Sequence, residues 1–182
     1  MTGHPFQEAD AVASQVRRHR VMESTPVGRL VLVARGAALV GVWMEDQRHH
    51  PGELAYGEPA AAGDEVLTEA ATQLEEYFAG RRTEFDLLLA PEGTQFQQRV
   101  WAELLRIPYG ETITYGELAR RLGDPNGSRA VGLANGRNPL GIVVPCHRVV
   151  GAGGDLTGYG GGLPRKRLLL DLEAQVAGLR LF

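Results

Sequence analysis

Between His19 and Met44 the chain carries three short runs rich in apolar and β-branched residues, HRVMES, GRLVLVAR and AALVGVWM, joined only at TPVG and RGA. Links that short cannot carry a crossover, so the runs are expected to fold back on one another as antiparallel hairpins. The pattern then changes period. After a Pro/Gly/Ala-rich stretch from Gln47 to Asp64, expected as a poorly ordered loop, Val66, Leu67, Ala70, Ala71, Leu74, Tyr77 and Phe78 recur at helical spacing. Asp64 is the expected cap of that helix and Gly80 its stop. TEFDLLLAP, 83–91, reads as a returning strand, and PEG, 91–93, as a linker.

Helices are expected to dominate from Thr94 onward. Thr94 and Gln97 stand at capping-box spacing, with Phe96, Val100, Leu104 and Ile107 along one face before Pro108 and Gly110. Thr114 and Glu117 repeat the device in TYGELARRLGD, and a third helix is expected from about Gly127 to Asn135. Two short helices across so tight a turn have the form of a helix-turn-helix, a form also common in helical cores. The second of them is rich in Ala and Gly, which permits close backbone approach to a core neighbour or to a narrow groove. NPLGIVV reads as a buried turn or short strand, and GAGGDLTGYGGGLPRKR, with seven glycines, as a loop. Pro164 suits the first turn of a last helix burying Leu168, Leu169, Leu172 and Val176. The fold class expected is α+β, with a sheet domain over 1–90, a linker over 91–93 and a mostly helical domain over 94–182.

At 182 residues and 43% hydrophobic the chain can bury a substantial core. No apolar run approaches the roughly 18 residues that cross a bilayer, and the N-terminal residues lack a basic segment followed by an apolar one, so a cytoplasmic protein is expected. The net charge of −3 is uneven: residues 1–93 hold 8 Lys+Arg against 15 Asp+Glu, and residues 94–182 hold 11 against 7. The cationic half is the candidate for a polyanionic partner, although solvated charge alone gives the same count.

The single cysteine, Cys146, excludes an internal disulfide and a multi-cysteine zinc site. A free thiol titrates near pH 8.5, so a nucleophilic Cys146 needs something to take its proton. His147 is adjacent, but neighbours in an extended segment point to opposite faces, so a direct bond needs a turn and a bridging water is the alternative. Glu173, an acid on a helix otherwise facing the core, is the candidate to orient the imidazole. From these residues alone an inert buried cysteine stays as admissible as a Cys/His/acid relay.

PCHRVV, preceded by RAVGLANGRNPLGIVV and followed by GYGGGLPRKRLLLDLE, resembles the active-site region of the O6-alkylguanine-DNA alkyltransferases, also called methylated-DNA-protein-cysteine methyltransferases. The likeness runs without gaps from about Thr94 to Glu173; the first half matches only in type, as that family's ribonuclease-H-like sheet domain. The resemblance implies irreversible, single-use transfer of an alkyl group from O6 of guanine, and from O4-alkylthymine, to Cys146. It implies that His147 deprotonates the thiol through water, Glu173 supports the histidine, Asn138 braces the active-site turn and Tyr115 donates a proton toward the leaving guanine. Arg129 is the implied finger entering the minor groove as the nucleotide flips, with Ala130, Ala134 and Asn135 on the same DNA-facing helix. Val149, Tyr159 and Gly160 are implied in the alkyl pocket. The implied partner is double-stranded DNA, bound by a monomer, with cooperative binding along the duplex left open; no cofactor is implied.

The extrusion that such chemistry demands costs a few kcal/mol, which a wedge offsets, and the minor groove's degenerate readout suits a protein that must bind any sequence. Two departures matter. The human-type protein holds a structural zinc with cysteines and histidines of its first domain; no cysteine lies there in this chain, so no metal is expected. Gly160 stands where many relatives carry serine, which puts tolerance of bulky alkyl groups in doubt. Relatives that have lost transfer replace the cysteine, which this chain keeps. His49 and His50 read as solvated, Trp43 and Trp101 as core residues, and the RKR at 165–167 as phosphate contacts or solvated charge. A lesion sensor without transfer and a cysteine hydrolase are the readings of other classes.

Overall fold

The computed structural model describes residues 5–6 and 16–178. The three apolar runs form β1 (Arg17–Met22), β2 (Leu30–Arg35) and β3 (Ala38–Met44). They pair antiparallel in sequence, Arg20 opposite Leu32 and Leu32 opposite Val42. β2 is central and covered on both faces: Leu30, Leu32 and Ala34 enter the main core, while Val31 and Val33 pack with Val40 and Tyr56 on the other side. A strand covered twice loses the alternation of a half-exposed one, which is why LVLVA reads as a continuous apolar run.

The stretch 47–64 is more regular than its composition suggests. It holds a 3-10 turn over Glu53–Tyr56 and a two-residue strand, β4 (Glu58–Pro59), which pairs parallel with β1 to give the order β3-β2-β1-β4. Tyr56 anchors the turn beneath the sheet. A strand of two residues with a proline at the sheet edge leaves no periodic signature. The converse holds at 83–91, which is extended but forms only an isolated bridge between Leu89 and Leu39. The Gln73 side chain explains the lost ladder: its amide nitrogen donates to the Asp86 carbonyl at 3.0 Å and its oxygen accepts from the Asp86 N–H at 2.9 Å.

α1 (Glu65–Phe78) starts where Asp64 accepts from the Leu67 N–H at 3.0 Å, and the same carboxylate pairs with Arg18 of β1. The helix lays Leu67, Ala70, Ala71, Leu74 and Tyr77 on the sheet. α2 (Gln95–Leu104) makes both bonds of its capping box, and α3 (Tyr115–Arg121) is capped by Thr114. A short turn leads to α4 (Ser128–Gly136). Two strands of two residues, β5 (Ile113–Thr114) and β6 (Val149–Val150), pair in parallel and tie the start of α3 to the segment after the cysteine.

α5 (Leu163–Val176) carries Pro164 in its first turn but buries a different stripe from the apolar one expected. Lys166, Leu169 and Glu173 are fully buried, Leu168 and Leu172 only partly, and Val176 is exposed. This helix turns two charged residues inward because the face it covers is the site, as described below. One apolar cluster runs from Leu32 and Leu74 through Trp101 and Leu104 to Val144, Cys146 and Leu169, joining the sheet half to the helical half. Among the described residues no helix is long and apolar enough to cross a membrane.

Asp64→Ala removes the cap of α1 and its ion pair to β1 together. Urea unfolding should show a loss of about 1–2 kcal/mol with an unchanged slope.

Candidate active site

The chain from Asn138 to Arg148 is a tight, buried path. Ile142 has φ 72°, a left-handed conformation that a β-branched residue adopts only at a strain of about 1–3 kcal/mol. Asn138 holds that turn from both ends of its amide: Nδ2 donates to the Val144 carbonyl at 2.8 Å, and Oδ1 accepts from the Leu140 N–H at 3.0 Å. The segment then closes into a 3-10 turn over Cys146–Arg148, so successive side chains do not alternate as they would in a strand. Cys146 is 6% exposed and His147 wholly buried.

His147 Nε2 lies 2.6 Å from Glu173 Oε1. A carboxylate there accepts the Nε2 proton, which leaves Nδ1 as the unprotonated, basic nitrogen. Nδ1 is buried and meets no protein partner. Burial lowers the affinity of His147 for a second proton, with Glu173 opposing. Burial alone would push the Glu173 carboxyl up, but the hydrogen bonds and charges of His147 and Arg148 outweigh it and hold the group ionised. The thiol is pushed up by burial, against the hydrogen bond from Asn138 and the charge of Lys166. At neutral pH the site therefore holds a thiol, a neutral imidazole with a free lone pair, and a carboxylate ready to compensate the imidazolium that proton transfer creates.

Three residues missed by the sequence reading complete this group. Arg148 grips Glu173 bidentately, Nε to Oε2 at 2.8 Å and Nη2 to Oε1 at 3.0 Å, and donates from Nη1 to the Ile107 carbonyl at 2.7 Å. Tyr77 of α1 donates to Glu173 Oε1 at 2.7 Å. Lys166, the only lysine in the chain, donates to the carbonyls of Val149 and Thr157. Burial lowers its pKa to about 8, opposed by the charge of Cys146. Its inward position overturns the solvated or phosphate-binding reading of the RKR run at this residue. The spacing of Lys166, Leu169 and Glu173 at i, i+3 and i+7 was the available signal, since it puts the lysine on the face of Glu173.

The remaining predicted residues separate. Tyr115 donates to the carbonyls of Thr157 and Gly158, at 3.1 and 2.9 Å, and its pKa is pushed up to about 12 by burial and by Cys146, so it stays a donor. Gly158 sits at φ 54°, and a Cβ there would stand 3.2 Å from the Tyr115 hydroxyl, so the approach depends on glycine. Tyr159 lies against Met44, burial and Cys146 raising its pKa, and the Gly160 carbonyl accepts from the Arg48 N–H at 2.8 Å. Both links run to the sheet half. A Cβ on Gly160 would make only ordinary contacts, 3.5 Å to the Gly136 carbonyl oxygen, so no steric demand requires glycine at that position. Val149 is buried in β6, with its carbonyl engaged by Lys166.

On α4, Arg129, Ala130 and Leu133 are exposed and form one outward face. Ala134 and Asn135, grouped with that face in the sequence reading, point inward. Ala134 is buried with its carbonyl accepting from Trp101 Nε1 at 2.9 Å, and Asn135 Nδ2 donates to the Cys146 carbonyl at 3.3 Å. The helix rotates them there because Val131 and Asn138 share their side and are held in the core. Trp101 is a core residue; Trp43 is half-buried on the outer side of the sheet beside His50, which also meets Tyr56. No cluster of three His, Cys, Asp or Glu with metal-binding placement occurs among the described residues.

A lone thiol backed by a histidine and a buried carboxylate, beside a helix-turn-helix and braced by a small sheet, is the architecture of a cysteine-dependent transferase that works on DNA. Residues 18–91 match the 6-O-methylguanine DNA methyltransferase, ribonuclease-like domain, and residues 95–175 the DNA binding domain of the same protein family, to which this chain belongs. The methylated-DNA--protein-cysteine methyltransferase of Mycobacterium leprae is 53% identical over 85% of this chain and 90% of its own length. The crystal structure of Mycobacterium tuberculosis OGT in complex with DNA is 50% identical, with a TM-score of 0.81 over 87% of this chain and 94% of that one. At 62% identity, a Methanosarcina acetivorans relative of the same name aligns with 60% of this chain and 70% of its own length.

Glu173→Gln leaves the Arg148 guanidinium buried without its counter-charge and should lower stability by about 3–5 kcal/mol at pH 7. The folded carboxyl is depressed below its ordinary 4.5, so its contribution is present above that pH and is lost as pH falls. Denaturant titrations should show the gap between the two proteins narrowing on acidification below pH 4.5.

Proposed function

We propose that this protein repairs DNA by moving a methyl or larger alkyl group from O6 of guanine, and from O4 of thymine, onto Cys146. His147 takes the thiol proton through a water at Nδ1, with Glu173 holding the resulting charge. The thiolate attacks the alkyl carbon, an S–C bond forms as the C–O6 bond breaks, and the departing base gains a proton from Tyr115. The thioether has no route back to a thiol in this site, so each molecule acts once. The observation that carries this reading is the basic nitrogen of His147, without a protein partner, behind the only thiol of the chain, whose carbonyl is held by Asn135 on the inner side of α4.

On DNA, α4 approaches the minor groove with Arg129 filling the gap left by the flipped nucleotide and Ala130 allowing close contact. Asn138 keeps the turn that presents Cys146, and Val149, Tyr159 and Gly160 wall the base and alkyl pocket. The protein acts as a monomer in the cytoplasm, with 1–90 as the sheet domain, 91–93 as the linker and 94–182 as the domain that carries the reaction. Because the Tyr115 hydroxyl is bonded to the 157–158 carbonyls, donating its proton to the base requires it to exchange those acceptors for the base.

Incubation with duplex DNA containing O6-methylguanine should add a single methyl group to each protein molecule, on the peptide that carries Cys146. Turnover beyond one equivalent, or a methyl group elsewhere, would falsify the reading. Arg129→Ala should weaken repair in duplex DNA by ten-fold or more, an order set by the few kcal/mol of extrusion, while reaction with free O6-benzylguanine changes little. Equal losses on both substrates would remove the finger role.

A further inference from the structure

The proposed relay accounts for His147 and Glu173, yet the carboxylate at its centre is also held by the other half of the chain. Tyr77 lies on α1, which begins at Asp64 and packs on the sheet, and it is fully buried. Its hydroxyl donates at 2.7 Å to the same oxygen, Glu173 Oε1, that receives His147 Nε2 at 2.6 Å. The ring is fixed edge-on against Phe78 and Tyr109 and tilted against Phe85, so the hydroxyl has little freedom to leave. We propose that Tyr77 is a positioning residue of the thiol relay, through which the sheet domain sets the basicity of His147.

The physical link is competition for one oxygen. Each donor on Oε1 draws off part of the negative charge that would stabilise an imidazolium on His147. Without the Tyr77 hydroxyl, the remaining donors on Glu173 are His147, Arg148 and the Gly110 N–H, and the carboxylate becomes a stronger partner for protonated His147. The other groups that face His147 and Glu173 are the cations Arg148 and Lys166 and the phenols of Tyr109 and Tyr159, and none of them changes in a Tyr77→Phe variant. The sheet domain then does more than support the fold: it keeps His147 a weaker base, unprotonated at the pH where the thiol must give up its proton.

This inference rests on the relay described under the proposed function, and two reagents keep their failures apart. Rates of Cys146 alkylation are measured against pH with iodoacetamide and with O6-methylguanine duplex, in the wild type, in Tyr77→Phe and in Leu74→Ala. Leu74 is a buried residue one turn earlier on α1 with no polar contact to the relay, so its variant controls for destabilisation. In Tyr77→Phe the acid limb of both profiles should move to higher pH by roughly half to one unit, as His147 becomes more basic. In Leu74→Ala it should superimpose on the wild type despite a lower melting temperature. A Tyr77→Phe profile that coincides with the wild type, or a Leu74→Ala profile displaced as far, overturns the proposal. A shifted iodoacetamide profile with no transfer from DNA in any of the three proteins upholds the role of Tyr77 and removes the repair reaction.

Discussion

A carboxylate in the middle of a protein has to be matched by donors, and much of this structure is arranged around one such group. Glu173 takes hydrogen bonds from the active-site turn through His147 and Arg148, from the α2–β5 connection through Gly110, and from the sheet half through Tyr77. An unmatched buried charge costs several kcal/mol, so these elements cannot separate without exposing it or paying that penalty. The same saturation keeps the carboxyl ionised and decides which nitrogen of His147 is basic. Fold and chemistry therefore depend on one side chain, and each constrains the other.

The second constraint is strain. The turn that leads into Cys146 puts a β-branched residue, Ile142, in the left-handed region, and Asn138 bonds the backbone on both sides of it. A relaxed extended segment would place Cys146 and His147 on opposite faces. The bent path lets one sequence PCHR deliver a thiol toward the pocket and an imidazole and a guanidinium toward Glu173. The strain is offset by the apolar burial of Leu140 before Ile142 and of Val143 and Val144 after it.

What could be read from the sequence follows how local each signal is. The hairpins, the Asp64 cap and the Thr94/Gln97 capping box are set by residues within four positions of one another and are present, whereas the second box is only half made: Thr114 caps α3, but the Glu117 carboxylate is taken by Arg120 and Arg121. Segment 83–91 misled because its alternation is real but its backbone meets β3 only around Leu39, while Asp86 is held by a glutamine side chain thirteen residues upstream, which no periodicity encodes. β4, β5 and β6 are two-residue strands fixed by what they lie beside. In the site, Cys146, His147 and Glu173 were legible through motif and helix position, whereas Tyr77 acts 96 positions from its partner and nothing local marks it. Arg148 and Lys166 were hidden by the habit of reading cations as solvated, and Asn135 by reading a polar residue on a DNA-facing helix as a surface one.

Lys166 has one more consequence. With the only lysine of the chain buried against carbonyls, every side-chain cation on the outside is an arginine or a histidine. Guanidinium groups keep their proton throughout the range in which proteins stay folded and meet phosphate oxygens in pairs, whereas an ammonium is a point charge that can be acylated. The attraction of this surface for a polyanion is thereby constant on the alkaline side of neutrality, and reagents that cap amines leave its positive side chains untouched.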